Sequence, residues 1–229
     1  MVYITGDTHR DFTRVEAFCD RLGTTIDDVL IILGDAGINY FGGEKDLILK
    51  HELSKLPLTI FCIHGNHECR PSNIVTYTES GWHGGQVYIE PEFPNLLFAK
   101  DGEVFELAQK KCIVIGGAYS VDKLYRIAYG WHWWQDEQPS PAIRERVENR
   151  LKLEEWNIDV VLSHTCPLKY EPCEVFIQGI DQSNVDKSTE EWLVGIEDRL
   201  IYKKWYCGHY HINKSIDRLQ FMFEDFLEL

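Results

Sequence analysis

The sequence has no cysteine pair at CxxC spacing, no apolar run approaching the roughly 18 to 20 residues a membrane span needs, and no basic leader before a long apolar stretch. Its seven cysteines (Cys19, Cys62, Cys69, Cys112, Cys166, Cys173, Cys207) make an odd set, mostly within apolar strand-like runs. They point to reduced core or near-site thiols in a cytosol, and the closely spaced cysteines of a soft thiolate metal site are missing. The protein is expected to be soluble and cytoplasmic, with no membrane contact. Positive charge is also scarce. With 23 Lys plus Arg against 37 Asp plus Glu, the formal net charge is −14, so a long polyanion gains nothing from the average field and long nucleic acid is disfavoured as a partner. Some of those carboxylates could be metal ligands, in which case bound dications would cancel charge where a phosphate binds. No internal repeat, low-complexity tract or Pro/Ser-rich linker interrupts the 229 residues, whose 44% hydrophobic content suits one compact domain over 1–229.

What is present alternates. Val2 to Thr5, Val29 to Leu33 and Leu58 to Ile63 are strand-like, with helix-period segments between them, which is βαβ wiring. The first helix is expected to be capped at Thr13 with Glu16 in a capping box, and a second lies near Lys45 to Leu53. Val87 to Ile89, Leu96 to Ala99, Val104 to Leu107 and Cys112 to Ile115 follow with no room for helices, an antiparallel stretch. Ser140 before Pro141 starts a helix expected to reach about Trp156. Val160 to Leu162 is strand-like, Ser188 with Glu191 is expected to cap another helix, and Trp205 to Cys207 and Phe221 to Phe226 are expected to close the chain as strands.

Five short clusters of ligand-type residues sit at or just after strand ends: Gly6-Asp7-Thr8-His9, Gly34-Asp35, Gly65-Asn66-His67-Glu68, Ser163-His164 and Gly208-His209-Tyr210-His211. Ligands collect at the carboxyl ends of strands in open α/β sheets, so these clusters can converge. Oxygen and imidazole donors suit manganese, iron or zinc. If the strands continue, residues two apart face the same way, so Asp7 with His9 and His209 with His211 could each face one ion. The adjoining glycines would let backbone turn sharply and approach a bound anion. A lone Asp or His at a strand end is ordinarily a cap, a turn former or a satisfied polar residue; the full set in one order carries the inference.

On these motifs the chain resembles the calcineurin-like metallophosphoesterases, whose pattern is Asp-x-His, Gly-Asp, Gly-Asn-His-Asp/Glu, a lone His and Gly-His-x-His; the match spans residues 7 to 211. The resemblance implies a four-layer α/β/β/α sandwich, two mixed β-sheets packed face to face with helices outside. It implies two divalent metal ions, manganese foremost, with iron or zinc as alternatives. Asp7, His9, Asp35 and His211 would hold one ion, and Asp35 would bridge to a second held by Asn66, His164 and His209. A hydroxide between the ions would attack a phosphomonoester or phosphodiester, and His67 would protonate the leaving group. His67 as a further ligand or a structural residue is the alternative, and Glu68 would orient His67 or the following helix.

Arg10 stands where related phosphatases carry glycine, and Gly34-Asp35-Ala36-Gly37-Ile38-Asn39 lacks the Arg and Asp of their second motif, which counts against phosphoprotein specificity. Arg10, Arg70 and Arg126 are candidates for a replacement phosphate contact, with Arg70 closest to a motif. The expected partner is a phosphorylated small molecule or nucleotide. A nuclease of the same superfamily, which would need a basic track, and a non-catalytic interaction module, which would have lost ligands, are the alternatives. Gly116 to Lys123 resembles an ordinary strand-to-helix turn, and the three tryptophans of Trp131 to Trp134 a satellite aromatic cluster or, failing that, a base-stacking lid.

Overall fold

Strands buried on both faces need a covering layer on each side, and the computed structural model, which describes residues 1–176 and 182–229, shows how this chain supplies them. β1 (Val2–Thr5), α1 (Thr13–Leu22), β2 (Val29–Ile32), α2 (Glu44–Leu53) and β3 (Thr59–Cys62) alternate as the hydrophobic periods predict. The three strands are parallel neighbours, with Thr5 opposite Ile32 and Ile32 opposite Cys62, so their C-terminal ends lie level. β4 (Thr78–Trp82), β5 (Gly85–Ile89) and β6 (Leu96–Ala99) extend this sheet as an antiparallel run, β6 lying parallel to β3.

The chain then changes sheets. β7 (Val104–Leu107) pairs antiparallel with β8 (Lys110–Ile115) and, after α3 (Lys123–Ala128) and α4 (Pro141–Leu153), β9 (Val160–Ser163) adds in parallel to β8. α5 (Ser188–Glu197) leads to β10 (Lys204–Cys207), parallel to β9 with Cys207 opposite Ser163; β11 (Lys214–Ile216) and β12 (Leu219–Phe221) complete the second sheet. β13 (Leu227–Glu228) returns to pair with β1. The strand orders are β13-β1-β2-β3-β6-β5-β4 and β11-β12-β10-β9-β8-β7.

Alternation along the strands builds three apolar layers. Val29, Ile31, Phe61, Cys112 and Val114 meet between the sheets. Leu30, Ile32 and Ile60 point the other way, onto Val15, Cys19 and Leu53 of α1 and α2. Ile113, Ile115 and Trp205 pack outward against Val147 and Leu151 of α4 and Leu193 and Ile196 of α5. This is the expected α/β/β/α sandwich.

Several local expectations give way to tertiary packing. Thr13 is the first helical residue of α1, not its cap; Phe12 holds that position without a side-chain bond, and Asp11 Oδ1 accepts from Thr13 N at 3.0 Å. Phe12, buried among the α1 and α2 core residues, sets where the helix begins. Ser188 is displaced in the same way: Lys187 is at the cap, and Asp186 Oδ1 accepts from Ser188 N at 2.9 Å. Ser140 does cap α4, accepting from Ile143 N, but the helix stops at Leu153, and Glu155 and Trp156 take left-handed φ values of 53° and 55°. The strand expected over Phe221 to Phe226 is divided, because the segment between β12 and β13 crosses from one sheet to the other, Phe223 O accepting from Gly6 N at 3.0 Å.

Candidate metal centre

The five clusters follow β1, β2, β3, β9 and β10, all parallel strands, so the level strand ends deliver them to one edge of the sandwich. The first three come from one sheet and the last two from the other. The strand geometry expected for Asp7 with His9 and His209 with His211 is not what brings them together. The strands have already ended, and His9, His209 and His211 sit at φ 45°, 68° and 51°. Asp35 is also left-handed, at φ 49°. So much unfavourable backbone at one edge is the pattern of a functional site, where surrounding structure over-determines the strain.

The neighbouring glycines make room for site side chains rather than for an anion. A Cβ on Gly65 would lie 2.0 Å from Asp35 Oδ1, and one on Gly208 2.3 Å from Asp7 Oδ1. Each buried carboxylate uses one oxygen to hold a neighbouring loop: Asp35 Oδ1 accepts from His67 N at 2.8 Å and Asp7 Oδ1 from His209 N at 3.0 Å. Asp7 Oδ2 is buried without a hydrogen-bond partner. His211 Nε2 lies 3.3 Å from it and His9 Nε2 3.8 Å, while the two imidazole Nε2 atoms are 2.8 Å apart. His164 Nδ1 is 2.8 Å from Leu33 O, which makes that nitrogen a donor, and its Nε2 lies 2.8 Å from Asn66 Oδ1 and 3.6 Å from Asp35 Oδ1. Carboxylate oxygens and ring nitrogens therefore converge across the centre.

Three overlapping groups each gather donor atoms within 4.8 Å of one another: Asp7, His9 and His211; Asp7, Asp35 and His164; and His9, Asp35 and His67. The donor set and the unpartnered Asp7 oxygen fit divalent cations. His209 joins from the side, its ring 4.9 Å from that of His164. His67 belongs to one of the groups, so geometry keeps it within reach of a cation.

Burial would push the Asp35 carboxyl up, but the surrounding His164, His67 and His9 hold it below the usual range. Asp7 is likewise lowered, burial being outweighed by His211 and its neighbours. His209 is driven down to about 3 by burial and by His164, against the pull of Asp35 and Asp7, so it is a neutral donor at physiological pH. His211 moves up, chiefly through Asp7.

The three arginines separate. Arg126, on α3, donates to the imidazole of His67, to Asp122 Oδ2 at 2.8 Å and to His132 O at 2.9 Å. Burial lowers the His67 pKa and Arg126 lowers it further, against Asp35, which raises it. Arg70, nearest to a motif in sequence, is bound to Asp101 Oδ2 at 2.6 Å and to Asp136 O at 2.8 Å. Arg10 is bound to Asp46 at 2.6 Å and to Gly37 O at 2.7 Å, on the rim of a shallow depression that Tyr40, His67 and Arg126 also line. Its φ of 72° explains why a glycine serves at this position, and the guanidinium contacts offset the cost.

Glu68 orients neither His67 nor a helix, since a 3-10 turn (Pro71–Asn73) follows. It accepts from Gly37 N at 3.1 Å and Gly65 N at 3.3 Å, tying the second and third motif loops together, and burial with nearby Asp35 raises it to about 8. Sequence reasoning missed Ser120 and Glu137. Asn66 Nδ2 donates to Ser120 Oγ at 2.9 Å, which donates to Glu137 Oε2 at 2.6 Å; the same oxygen accepts from Trp133 Nε1 at 2.7 Å. The two segments flagged as Gly116 to Lys123 and Trp131 to Trp134 thus brace Asn66 from behind, with His132 and Trp134 in an aromatic cluster with Tyr40 and Phe41. Their signal was only a glycine pair and an odd composition.

A model of the calcineurin-like phosphoesterase family matches residues 1–213. Among solved structures, TT1561 of Thermus thermophilus is similar in fold, with a TM-score of 0.52 and 12% identity over 97% of this chain and 87% of that one. Phosphopantetheinyl hydrolase from Mycobacterium tuberculosis gives a TM-score of 0.48 and 14% identity over 97% and 87% of the two chains. No curated protein matches the sequence. Among the described residues no helix is long and apolar enough to cross a membrane.

Proposed function

We propose that this chain, which belongs to the calcineurin-like phosphoesterase family, hydrolyses a small phosphomonoester or phosphodiester at a centre of two divalent cations set between its two sheets. Metal-dependent phosphoester hydrolysis follows from the family; the number of ions and the residue roles are the proposal. The observation that carries it is the convergence of carboxylate and imidazole ligand atoms within 4.8 Å in three overlapping groups, with Asp7 Oδ2 buried and unpartnered among them. Such a cluster is costly unless cations fill it.

Asp7, His9, Asp35 and His211 would hold one cation, and Asn66, His164, His209 and the shared Asp35 the other, with manganese foremost and iron or zinc as alternatives. Bound cations would supply Lewis acidity to the phosphoryl oxygens and lower the pKa of a water. His67 would pass the proton to the leaving oxygen. A guanidinium hydrogen bond needs an unprotonated ring nitrogen, so the contact of Arg126 with His67 favours the neutral ring. Because Arg126 and burial hold the imidazolium down, donation by His67 would strengthen as the pH falls toward its lowered value. All three arginines are engaged by carboxylates, but Arg126 alone among them bonds to a residue of the centre, His67, and so is the one placed to contact a phosphoryl oxygen.

The test is hydrolysis of p-nitrophenyl phosphate and bis-p-nitrophenyl phosphate by metal-stripped protein resupplied with Mn, Zn, Fe or Mg, with Asp35→Asn as the control. Release that depends on metal and disappears in the control supports the reading, and the preferred ester separates monoesterase from diesterase. Two ions bound with no release under any metal would favour a binding module.

A further inference from the structure

Beside the centre lies a cavity of about 340 Å³ that the roles above leave unused. Asp35, Asn66, His67, His209 and His211 form its inner wall, so whatever leaves the phosphorus atom on this side enters it. The outer wall is largely apolar and aromatic: Tyr119, Val121, Val175, Phe176, Val185 and Tyr210. Phe176 and Tyr210 lie nearly parallel, with ring centroids 6.4 Å apart. The volume is at the small end of the roughly 300–1,000 Å³ of small-molecule sites, too small for a folded partner or a run of nucleotides.

Charge narrows the occupant further. Lys187, the only lysine or arginine lining the cavity among the described residues, is paired with Glu171 at 2.6 Å. Asp186 and Glu190 line the same wall with no cation at ion-pair distance among the described residues. Among the described residues, Asp186 accepts only from neutral donors, Ser188 N and the Gln138 amide, and Glu190 from the Thr165 hydroxyl. A second anionic group on the substrate would meet carboxylates here without a compensating cation.

We propose that this cavity receives the leaving group, and that the substrate is a phosphoester whose organic part is compact, apolar or aromatic, and free of negative charge. The inference rests on the phosphoesterase reading and adds to it a selection against polyanionic esters.

Calorimetric titration of the manganese-loaded protein with phosphonates tests it without bond cleavage. Phenylphosphonate is expected to bind about tenfold more tightly than methylphosphonate through burial of the ring. 4-Carboxyphenylphosphonate is expected to bind on the order of tenfold more weakly than phenylphosphonate, and the 4-trimethylammonio analogue at least as well as phenylphosphonate. Asp186→Asn combined with Glu190→Gln should bring the carboxyphenyl-to-phenyl ratio of dissociation constants close to one. If the buried Glu190 change unfolds the protein, Asp186→Asn alone should move the ratio in the same direction. Phenyl and carboxyphenyl compounds binding alike, or phenyl no better than methyl, would overturn the inference while leaving hydrolysis intact. Failure of every phosphonate to bind, with no ester cleaved under any metal, would remove the phosphoesterase reading itself and this inference with it.

Discussion

The two sides of the cleft are built differently. The centre stands on strand ends: five loops leave parallel strands, neighbours within each sheet being pinned by backbone hydrogen bonds such as His9 N to Asp35 O at 2.8 Å and Gly208 N to His164 O at 2.9 Å. The outer wall of the cavity stands on turns and short helical pieces: the 119–122 turn, the 3-10 turn at Cys173–Val175 and the approach to α5. Strand ends fix the side chains that must hold their positions during chemistry, while turns leave the wall free to vary with the substrate. If that division holds, substitutions in the centre should cost metal and turnover, and substitutions in the wall should alter selectivity.

The largest effect belongs to the shared ligand. Asp35→Asn should lower metal content at both positions and reduce turnover by about a thousandfold or more, measured by metal analysis and p-nitrophenyl release. His67→Ala should retain both metals and lose ~10²- to 10⁴-fold in turnover, most with poor leaving groups; equal loss for good and poor leaving groups would speak against its role as the acid. Ser120→Ala, which removes the brace behind Asn66, should weaken binding of one metal by about 10- to 100-fold in a calorimetric titration. Unchanged affinity would restrict the centre to its strand ends.

The smaller effects sharpen the same division. Arg126→Ala removes a cation beside His67, so its pKa should rise and the descending limb of the kcat–pH profile should shift to higher pH. In the metal-free protein Glu68, raised to about 8, binds a proton that the unfolded chain has already released. Stability should therefore decline as the pH rises from its unfolded value, near 4.5, through about 8, and Glu68→Gln should flatten that decline in a denaturant series.

The same contrast explains what the sequence reveals. Strand periodicity exposes the α/β wiring with its antiparallel portion, the four layers come only with the family resemblance, and ligand-type residues at strand ends expose the convergence of Asp7, Asp35, Asn66 and His164, because parallel pairing carries local order into space. It does not expose helix starts decided by Phe12 and by Asp186, nor a closing segment that changes sheets. The brace is hidden for another reason: Ser120 and Glu137 meet Asn66 only through chain folding between distant segments, and nothing in their local composition records it. Arg70 shows the reverse. It lies three residues from His67 in sequence, yet Asp101 draws its guanidinium away.

The centre also straddles a seam. Asp7, His9, Asp35 and Asn66 are carried by the first sheet, and His164, His209 and His211 by the second. A cation bound by donors from each would therefore add a cross-link between two layers already joined by apolar packing and by hydrogen bonds such as Gly6 N to Phe223 O. Parting the two halves of the sandwich would require release of the cation, so filling the centre should clamp the sheets together and raise the melting temperature with the logarithm of metal concentration.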